Sequence, residues 1–345
     1  MLKYILILIK WSVNMNKNGK ILKLIFIVVL IAIIISFGFI WYLNTLFSNI
    51  QYESLDKNNL SVNQNLYNDV RANVNITKSD FEKVINIVLF GTDSRNPEKV
   101  ESGRADTIMI ASVNPIKKSI KLISIPRDTY VQIPEYGYTK INHSYAYGKE
   151  ELAIKTINSN FGLNITDYAT IDFSGLIHII NNIGGVTVEI TEEEKNYINI
   201  KSKEAYELSG NEYKKILETG KVQLSGEQAL THSRNRTVGN DFVRASRQRD
   251  VLQAVINKFT SLDIENILNL SDDFFKDVKT NININEYISI LVSIALEKDS
   301  YMENIISKQI PNSKYSESKT IKGVYYFVTD FNFVKEDFYK TIYEL

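Results

Sequence analysis

An uninterrupted apolar segment near the N-terminus constrains this chain more than any other feature. Residues 24–43 read LIFIVVLIAIIISFGFIWYL and contain no charged side chain. At about 1.5 Å of rise per residue, a helix of this length crosses the roughly 30 Å of hydrocarbon in a bilayer. The segment is longer than the core of a usual signal peptide, and no small-residue cleavage site follows it. The sequence therefore predicts one transmembrane helix over residues 21–43.

The charges that flank this segment predict its orientation. Five lysines and no acidic residue precede it, whereas Glu53 and Asp56 are the first charges after it. The positive-inside bias places a cytoplasmic tail at residues 1–20 and the rest of the chain outside the cell membrane. Met15 also opens a sequence typical of a chain start, so the choice between Met1 and Met15 stays open.

Composition excludes several classes of function. The 345 residues contain 40 Lys and Arg, 40 Asp and Glu, three His and no Cys. A net charge of zero gives no global basic footprint, so nucleic acid is not an expected partner. Without Cys there is no disulfide, no Cys nucleophile and no thiolate metal site. A bound metal would therefore need mainly oxygen ligands.

Beyond the apolar segment the chain alternates strand and helix patterns. Residues 44–80 are rich in Asn, Ser and Asp and predict an extracytoplasmic spacer. Apolar runs predict strands at 84–90, 107–113, 120–125, 186–190 and 323–328, and helical spacing predicts helices at 150–160, 173–182, 241–259 and 286–297. This pattern indicates a layered α/β/α domain at 81–262 with a central mixed, largely antiparallel sheet, and a C-terminal extension at 263–345 packed on it.

Charged loops flank the first three predicted strands. If the first three strands are antiparallel neighbours, the segments GTDSR (91–95), GRAD (103–106) and PRD (126–128) meet at one edge of the sheet. The charged residues of these loops are Asp93, Arg95, Arg104, Asp106, Arg127 and Asp128.

A second charged cluster lies in SRNRTVGNDFVRASRQR, residues 233–249. Arg234 and Arg236 point the same way on an extended segment, and Arg244 and Arg247 share one face of a helix. Guanidinium groups suit bidentate phosphate contacts, and one or two carboxylates with phosphate oxygens suit Mg²⁺. The two clusters together predict a diphosphate site, although charged loops of this kind also form ordinary solvated ion pairs.

Several strings in these regions resemble one known family. GTDSR, GRADTIMI, SIPRDTYVQIP, KINHSYAYG, NIGGVTVEI and LSGEQALTHSRNRTVGNDFVRASRQRDVL resemble, in order, the motifs of the LytR-CpsA-Psr family of cell-wall glycopolymer transferases. The resemblance covers residues 81–259. It implies an extracytoplasmic, metal-dependent phosphotransferase that moves an anionic polymer from undecaprenyl diphosphate to peptidoglycan, in a bacterium of Gram-positive type. The polymer could be a teichoic acid, a capsule or another secondary polysaccharide.

The resemblance also implies roles for individual residues. Asp93 and Asp106 match acids associated with Mg²⁺ or Mn²⁺ and, with Arg127, form the expected catalytic set; neither acid is assigned as the general base. The expected diphosphate contacts are Arg104, Arg127, Arg234, Arg236, Arg244 and Arg247. The supporting residues are Arg95, Asp128, Lys140, Asn142, Asp241 and Gln248, of which Asp128 could instead brace its loop and Asp241 could be only a helix cap.

A polyprenyl tail would need a dry slot between the sheet and the helices. The expected lining residues are Phe173, Leu176, Ile177 and Ile180, which serve equally well as ordinary core. Two other functions fit the same site: hydrolysis of the lipid-linked diphosphate, and non-catalytic binding of the lipid-linked polymer. A transcription regulator fits least, because the predicted topology places the domain outside the cell.

Overall fold

The computed structural model describes residues 51–92, 103–239, 241–262, 276–283, 293–294 and 296–343, with the backbone alone at 241 and 242. Residues Ile50–Leu345 form one compact unit. Among the described residues no helix is long and apolar enough to cross a bilayer. The predicted transmembrane helix and cytoplasmic tail lie outside the described residues, as do Asp93, Arg95 and most of the predicted helix at 286–297.

Strands and helices alternate along the described chain. The strands are β1 (Gln51–Tyr52), β2 (Ile85–Thr92), β3 (Ala105–Asn114), β4 (Ser119–Ser124), β5 (Tyr130–Ile133), β6 (Gly137–Lys140), β7 (Asp167–Asp172), β8 (Val186–Ile190), β9 (Gly220–Leu224), β10 (Val278–Thr280), β11 (Ile305–Gln309), β12 (Ser316–Ile321) and β13 (Val324–Thr329). The helices are α1 (Leu66–Arg71), α2 (Lys78–Phe81), α3 (Asn142–Phe161), α4 (Phe173–Asn182), α5 (Glu192–Ser209), α6 (Gly226–Ser233), α7 (Asp241–Ser261), α8 (Lys298–Glu303) and α9 (Phe331–Tyr343).

The central sheet is mixed, as predicted. Its order within the described residues is β1-β10-β7-β2-β3-β4-β11. The predicted antiparallel pairs β2–β3 and β3–β4 are present. The sheet is less antiparallel than expected, because β7 returns through the crossover helix α3 to lie parallel to β2, and β1–β10 and β4–β11 are parallel as well.

Side chains alternate between the two faces of this sheet. Val88 and Phe90 enter a core that also contains residues of α3 and α9. Leu89 and Met109 face the other way and pack with Leu252 of α7. Because apolar side chains point to both faces of the sheet, helices pack on both faces, which is the predicted α/β/α layering.

Two segments outside the predicted catalytic domain pack into its core and sheet more closely than the sequence suggested. Within the predicted spacer, Leu66, Val70 and Val74 are buried in the main core, because apolar residues four apart share one side of the chain's helical turns. In the C-terminal extension, β10 and β11 extend the central sheet, and Val334 and Phe338 of α9 enter the same core.

The predicted helix at 150–160 is the second half of α3, which contains a break at Gly148 and Lys149. The predictions of α4 and β8 match their observed bounds. Asp172 caps α4 as expected, accepting a hydrogen bond from the Gly175 N–H at 2.8 Å.

Helices α4 and α6 approach each other at Gly226. A methyl group on Gly226 would lie 2.4 Å from the carbonyl oxygen of Ile177. Since backbone cannot move aside as a flexible side chain can, we expect Gly226→Ala to lower the free energy of unfolding by about 1–3 kcal/mol. Chemical denaturation of the two proteins measures this change.

Gly103→Ala is the matched control for Gly226→Ala, because its new methyl group would meet only the flexible end of Lys149 within 4 Å. Equal stability of Gly226→Ala and the wild type would contradict the close packing of α4 on α6.

Candidate active site

The sheet edge where β2 ends, β3 begins and β4 ends positions the first charged cluster. Gly91 pairs with Thr107 and Thr92 pairs with Ala105, so the register shifts and leaves Asp106 in a β-bulge. A bulge turns a side chain away from the regular alternation of its strand. At this edge the Asp106 carboxylate accepts a hydrogen bond from Nη1 of Arg127 at 2.6 Å. The predicted meeting of the GRAD and PRD loops is therefore observed.

A chain of ion pairs continues from Arg127. Its Nε lies 3.6 Å from Oδ2 of Asp128, whose Oδ1 lies 2.6 Å from Nζ of Lys140. The backbone N–H of Asn142 donates to the carbonyl oxygen of Arg127 at 3.2 Å. These contacts place Asp128, Lys140 and Asn142 behind the Asp106–Arg127 pair, where they hold the PRD turn in position.

The second charged cluster converges on the same carboxylate. Arg236 extends Nη2 to 4.0 Å from Oδ2 of Asp106. Arg234 ends α6 and stacks its guanidinium 4.4 Å from the centre of the Phe173 ring. Arg244 and Gln248, on α7, line a small recess together with Asp106 and Arg127. Two segments more than 100 residues apart thus surround Asp106 with arginines.

A large cavity opens beside these arginines. Its volume is about 1100 Å³, and it lies between the Leu89 face of the sheet and helices α4, α5 and α7. Phe173, Leu176 and Ile177 line it, as expected for the slot. Ile180 does not, because it is fully buried in the core between α4 and β8. Arg234, Arg236, Arg244 and Asp106 also line the cavity, whose wall is otherwise largely apolar apart from charged residues such as Lys201 and Glu204 of α5.

Arg247 lies elsewhere than the sequence suggested. It is outside the lining of both cavities, is only 3% exposed, and directs Nε to Oε1 of Glu194 at 2.6 Å. Its Nη1 and Nη2 donate to the carbonyl oxygens of Asn235 and Val238 at 3.1 and 2.7 Å. Arg247 therefore braces the segment that carries Arg234 and Arg236, because these donors are committed to the protein itself.

Buried titratable groups surround this brace. Burial raises the pKa of Glu194, but the backbone N–H of Thr191 and the Arg247 guanidinium outweigh burial and hold it below its ordinary value. Burial, opposed by the charge of Glu194 and aided by that of Arg247, lowers the pKa of His232 to about 4. His232 is consequently neutral at pH 7, and the Glu194 carboxylate is ionised there.

The other predicted site residues are placed as follows. Arg104 is half-buried and outside the lining of both cavities. Burial, the charge of Arg104 and the charge of Lys140 lower the pKa of His143. Asp241 begins α7, but its side chain lies outside the described residues, as do Asp93 and Arg95.

Sequence reasoning missed helix α5 and its role. Tyr197, Ala205 and Leu208 of this helix line the cavity, and Glu194 in its first turn holds Arg247. A signal was present in the sequence, because Thr191 and Glu194 form a capping box, with Thr–x–x–Glu spacing. Nothing in that pattern indicates that Glu194 faces an arginine 53 residues later.

This arrangement suits an amphiphile with an anionic head. Arginine forks bind phosphate oxygens through paired N–H donors, and a long apolar cavity binds a hydrocarbon chain. Among the described residues no group of three or more acidic or histidine side chains gathers as a metal site. Asp106 faces the cavity and remains 27% exposed, so a carboxylate oxygen is accessible there.

Comparisons with known proteins agree with this chemistry. The profile of the LytR_cpsA_psr family matches residues 45–341. A polyisoprenyl-teichoic acid–peptidoglycan teichoic acid transferase, TagU of Enterococcus faecalis, is 30% identical over 87% of this chain and 90% of its own length. The corresponding TagT of Bacillus subtilis is 30% identical over 70% of each chain.

One similar solved structure is a LytR-CPS2A-psr family protein, YwtF (TagT), with bound octaprenyl pyrophosphate lipid. It superimposes with a TM-score of 0.57 at 25% identity, over 76% of this chain and 91% of its own.

Proposed function

The chain belongs to the LytR-CpsA-Psr family, and from that membership we propose that it transfers an anionic glycopolymer from a polyprenyl diphosphate carrier to peptidoglycan. A hydroxyl of the acceptor attacks the phosphorus atom that bears the polymer and loses its proton to solvent. The bond between that phosphorus and the bridging oxygen breaks, and polyprenyl phosphate leaves. The observation that carries the proposal is the group of arginines around Asp106 at a cavity of about 1100 Å³.

The cavity would hold the polyprenyl chain of the donor. Each methylene group buried in it contributes about 0.8 kcal/mol. Phe173, Leu176 and Ile177 of α4 and Leu208 of α5 line the space that the hydrocarbon would occupy. The similar protein with bound octaprenyl pyrophosphate supports this assignment.

The arginines would hold the diphosphate. Arg234, Arg236 and Arg244 line the cavity, and Arg127 donates to Oδ1 of Asp106, whose Oδ2 lies 4.0 Å from Nη2 of Arg236. As the P–O bond breaks, negative charge accumulates on the leaving phosphate, and fixed guanidinium groups stabilise that charge without reorganising. Phe173 supports this geometry, because its ring stacks on Arg234.

A divalent cation, Mg²⁺ or Mn²⁺, fits the donor chemistry of this site. The accessible Asp106 carboxylate would hold it together with Asp93. The residues directly before these two acids, Thr92 and Ala105, are paired across β2 and β3. When bound, the cation neutralises charge on the phosphate oxygens. Arg127 holds the Asp106 carboxylate in orientation through its 2.6 Å hydrogen bond.

The same proposal places the protein in the cell membrane. The apolar run at 24–43, with lysines only on its N-terminal side, supports a single-pass anchor with the catalytic domain outside the cell. An anchor keeps the cavity close to a lipid-linked donor and so raises its effective concentration.

The test of this function is a transfer assay with the full-length protein in detergent micelles. Wild-type protein, lipid-linked teichoic acid precursor, peptidoglycan and Mg²⁺ should yield a covalent polymer–peptidoglycan conjugate and polyprenyl phosphate. Free polymer with ample acceptor present would instead indicate a hydrolase. Tight donor binding without any P–O cleavage would indicate a non-catalytic binder. EDTA should abolish conjugation if the cation assignment is correct.

Filling the cavity should weaken donor binding. Ala205 lies on α5 in the cavity wall, so the indole of Ala205→Trp would occupy space needed by the lipid. Displacing two methylene groups costs roughly 0.8 kcal/mol each, so we expect about a tenfold loss of affinity for octaprenyl diphosphate. Equilibrium binding in micelles measures it.

Ala72→Trp is the matched control for Ala205→Trp, because Ala72 is exposed and outside the cavity lining. Wild-type affinity in Ala205→Trp would contradict the cavity as the lipid site.

A further inference from the structure

A group of tyrosines lies on the surface around the β5–β6 hairpin, and we call it the tyrosine platform. Its members are Tyr130, Tyr136, Tyr138, Tyr147, Tyr325 and Tyr326. Four of them, at positions 136, 138, 147 and 325, expose between 42% and 58% of their surface. Scattered exposed aromatic residues are ordinary, but a contiguous group on a soluble surface usually marks a binding site.

Ring contacts join five of the six tyrosines into two separate sets. The ring centre of Tyr130 lies 5.4 Å from that of Tyr138 and 4.8 Å from that of Tyr326. Tyr136 stacks on Tyr147 of α3 with centres 4.6 Å apart. The first set joins the hairpins β5–β6 and β12–β13, and the second joins the turn between β5 and β6 to α3. These contacts pre-order the rings, so a ligand would not have to fix them on binding.

The platform is continuous with the candidate active site. Nζ of Lys140 lies 5.9 Å from the ring centre of Tyr325 and 6.0 Å from that of Tyr326. The same Nζ pairs with Asp128, the neighbour of Arg127. Tyr325 also lines the small recess that contains Asp106 and Arg127. A ligand bound on the rings would thus reach the Asp106 carboxylate through this recess.

The chemistry of the platform fits a carbohydrate. A pyranose ring presents C–H groups on its faces and hydroxyl groups at its edge, and tyrosine offers an apolar ring with a polar tip. On β5 and β6 the aliphatic side chains, Val131 and Ile133, are completely buried. On β5 the exposed position beside the rings, Gln132, is polar.

We propose that the tyrosine platform binds the glycan strand of the acceptor and leads its hydroxyl to Asp106. The proposal rests on the proposed transfer function and assigns its second substrate to a surface separate from the lipid cavity. Sugar rings would stack on Tyr138 and Tyr325, and the acceptor would approach through the recess beside Arg127. Donor and acceptor would then meet from opposite sides of one carboxylate.

Glycan binding without donor tests the platform independently of catalysis. The probe is a soluble, uncross-linked strand of alternating N-acetylglucosamine and N-acetylmuramic acid, titrated into full-length protein in micelles. Tyr138→Ala combined with Tyr325→Ala should weaken binding about tenfold or more, whereas Tyr138→Phe should bind as the wild type does, since the ring carries the stacking. Tyr52→Ala is the control, because Tyr52 is 62% exposed on β1 and is not a member of the platform.

A second measurement separates this proposal from the transfer function. Octaprenyl diphosphate affinity should remain unchanged in the double variant, while the KM for peptidoglycan rises in the transfer assay. Wild-type glycan affinity in the double variant would overturn the platform, and so would an equal loss in Tyr52→Ala. If neither the wild type nor any variant transfers polymer, but only the double variant loses glycan binding, then the proposed transfer function is wrong and the platform remains a glycan-binding site.

Discussion

Replacing Arg127 by alanine is expected to lower the rate of polymer transfer by about 10²- to 10³-fold. Arg127 donates to Asp106 at 2.6 Å and lies at the edge where charge would develop on the leaving phosphate. Its removal withdraws a fixed positive charge and also the donor that orients the carboxylate. The measurement is the initial rate of conjugate formation at saturating donor, with full-length protein in micelles.

Companion variants identify the origin of the Arg127 effect. Arg127→Lys keeps the charge but not the planar fork, so we expect an intermediate rate. Asp106→Asn keeps an acceptor for Arg127 but removes the negative charge, and it should also lose transfer. Arg71→Ala is the control, since Arg71 is an exposed arginine on α1. Transfer at the wild-type rate in both Arg127→Ala and Asp106→Asn would show that this edge is not the reaction centre.

The second large effect is expected at Arg247. Arg247→Ala would leave the buried Glu194 carboxylate without its guanidinium partner and the carbonyls of Asn235 and Val238 without their donors. Leaving one member of a buried ion pair alone costs about 3–5 kcal/mol. We expect a loss of that size in the free energy of unfolding, measured by chemical denaturation at pH 7.

The Arg247 experiment also distinguishes a brace from a diphosphate ligand. If Arg247 is a diphosphate ligand, the alanine variant should lose transfer activity but keep its stability. If Arg247 is a brace, the variant should lose stability and, because Arg234 and Arg236 are displaced, transfer activity as well. Combining Arg247→Met with Glu194→Leu should be less damaging than the sum of the single changes, because no charge is left unpaired. Lys78→Ala breaks an exposed ion pair with Glu82 at 3.8 Å and should change stability by only about 0.5 kcal/mol or less.

Local patterns were sufficient for much of the fold. The apolar alternation around Leu89 and Met109 places side chains on opposite faces of a sheet, because strand geometry has a period of two. The short turn between β3 and β4 makes these strands antiparallel neighbours, which brings Asp106 and Arg127 to one edge. Both inferences depend only on residues close together in the chain.

Long-range pairings lay beyond such patterns. The sequence does not indicate that β11 joins the sheet beside β4, or that β10 lies between β1 and β7. These partners are separated by more than 100 residues, and short strands carry little information about which edge they complete. For the same reason, the sequence predicts a spacer at residues 44–80, although Leu66 and Val70 are core residues.

The arginines show most clearly which properties follow from the sequence and which depend on the tertiary structure. Residue types and motif order alone predicted that the chain gathers Arg and Asp for an anionic substrate, since guanidinium groups suit bidentate contacts with phosphate oxygens. Only the tertiary structure determines which arginine reaches the cavity. Arg244 and Arg247 are three residues apart on α7, yet Arg244 lines the cavity and Arg247 pairs with Glu194. Helix spacing indicates neighbouring positions, but only the packing of α5 against α7 supplies the buried carboxylate that binds one of them.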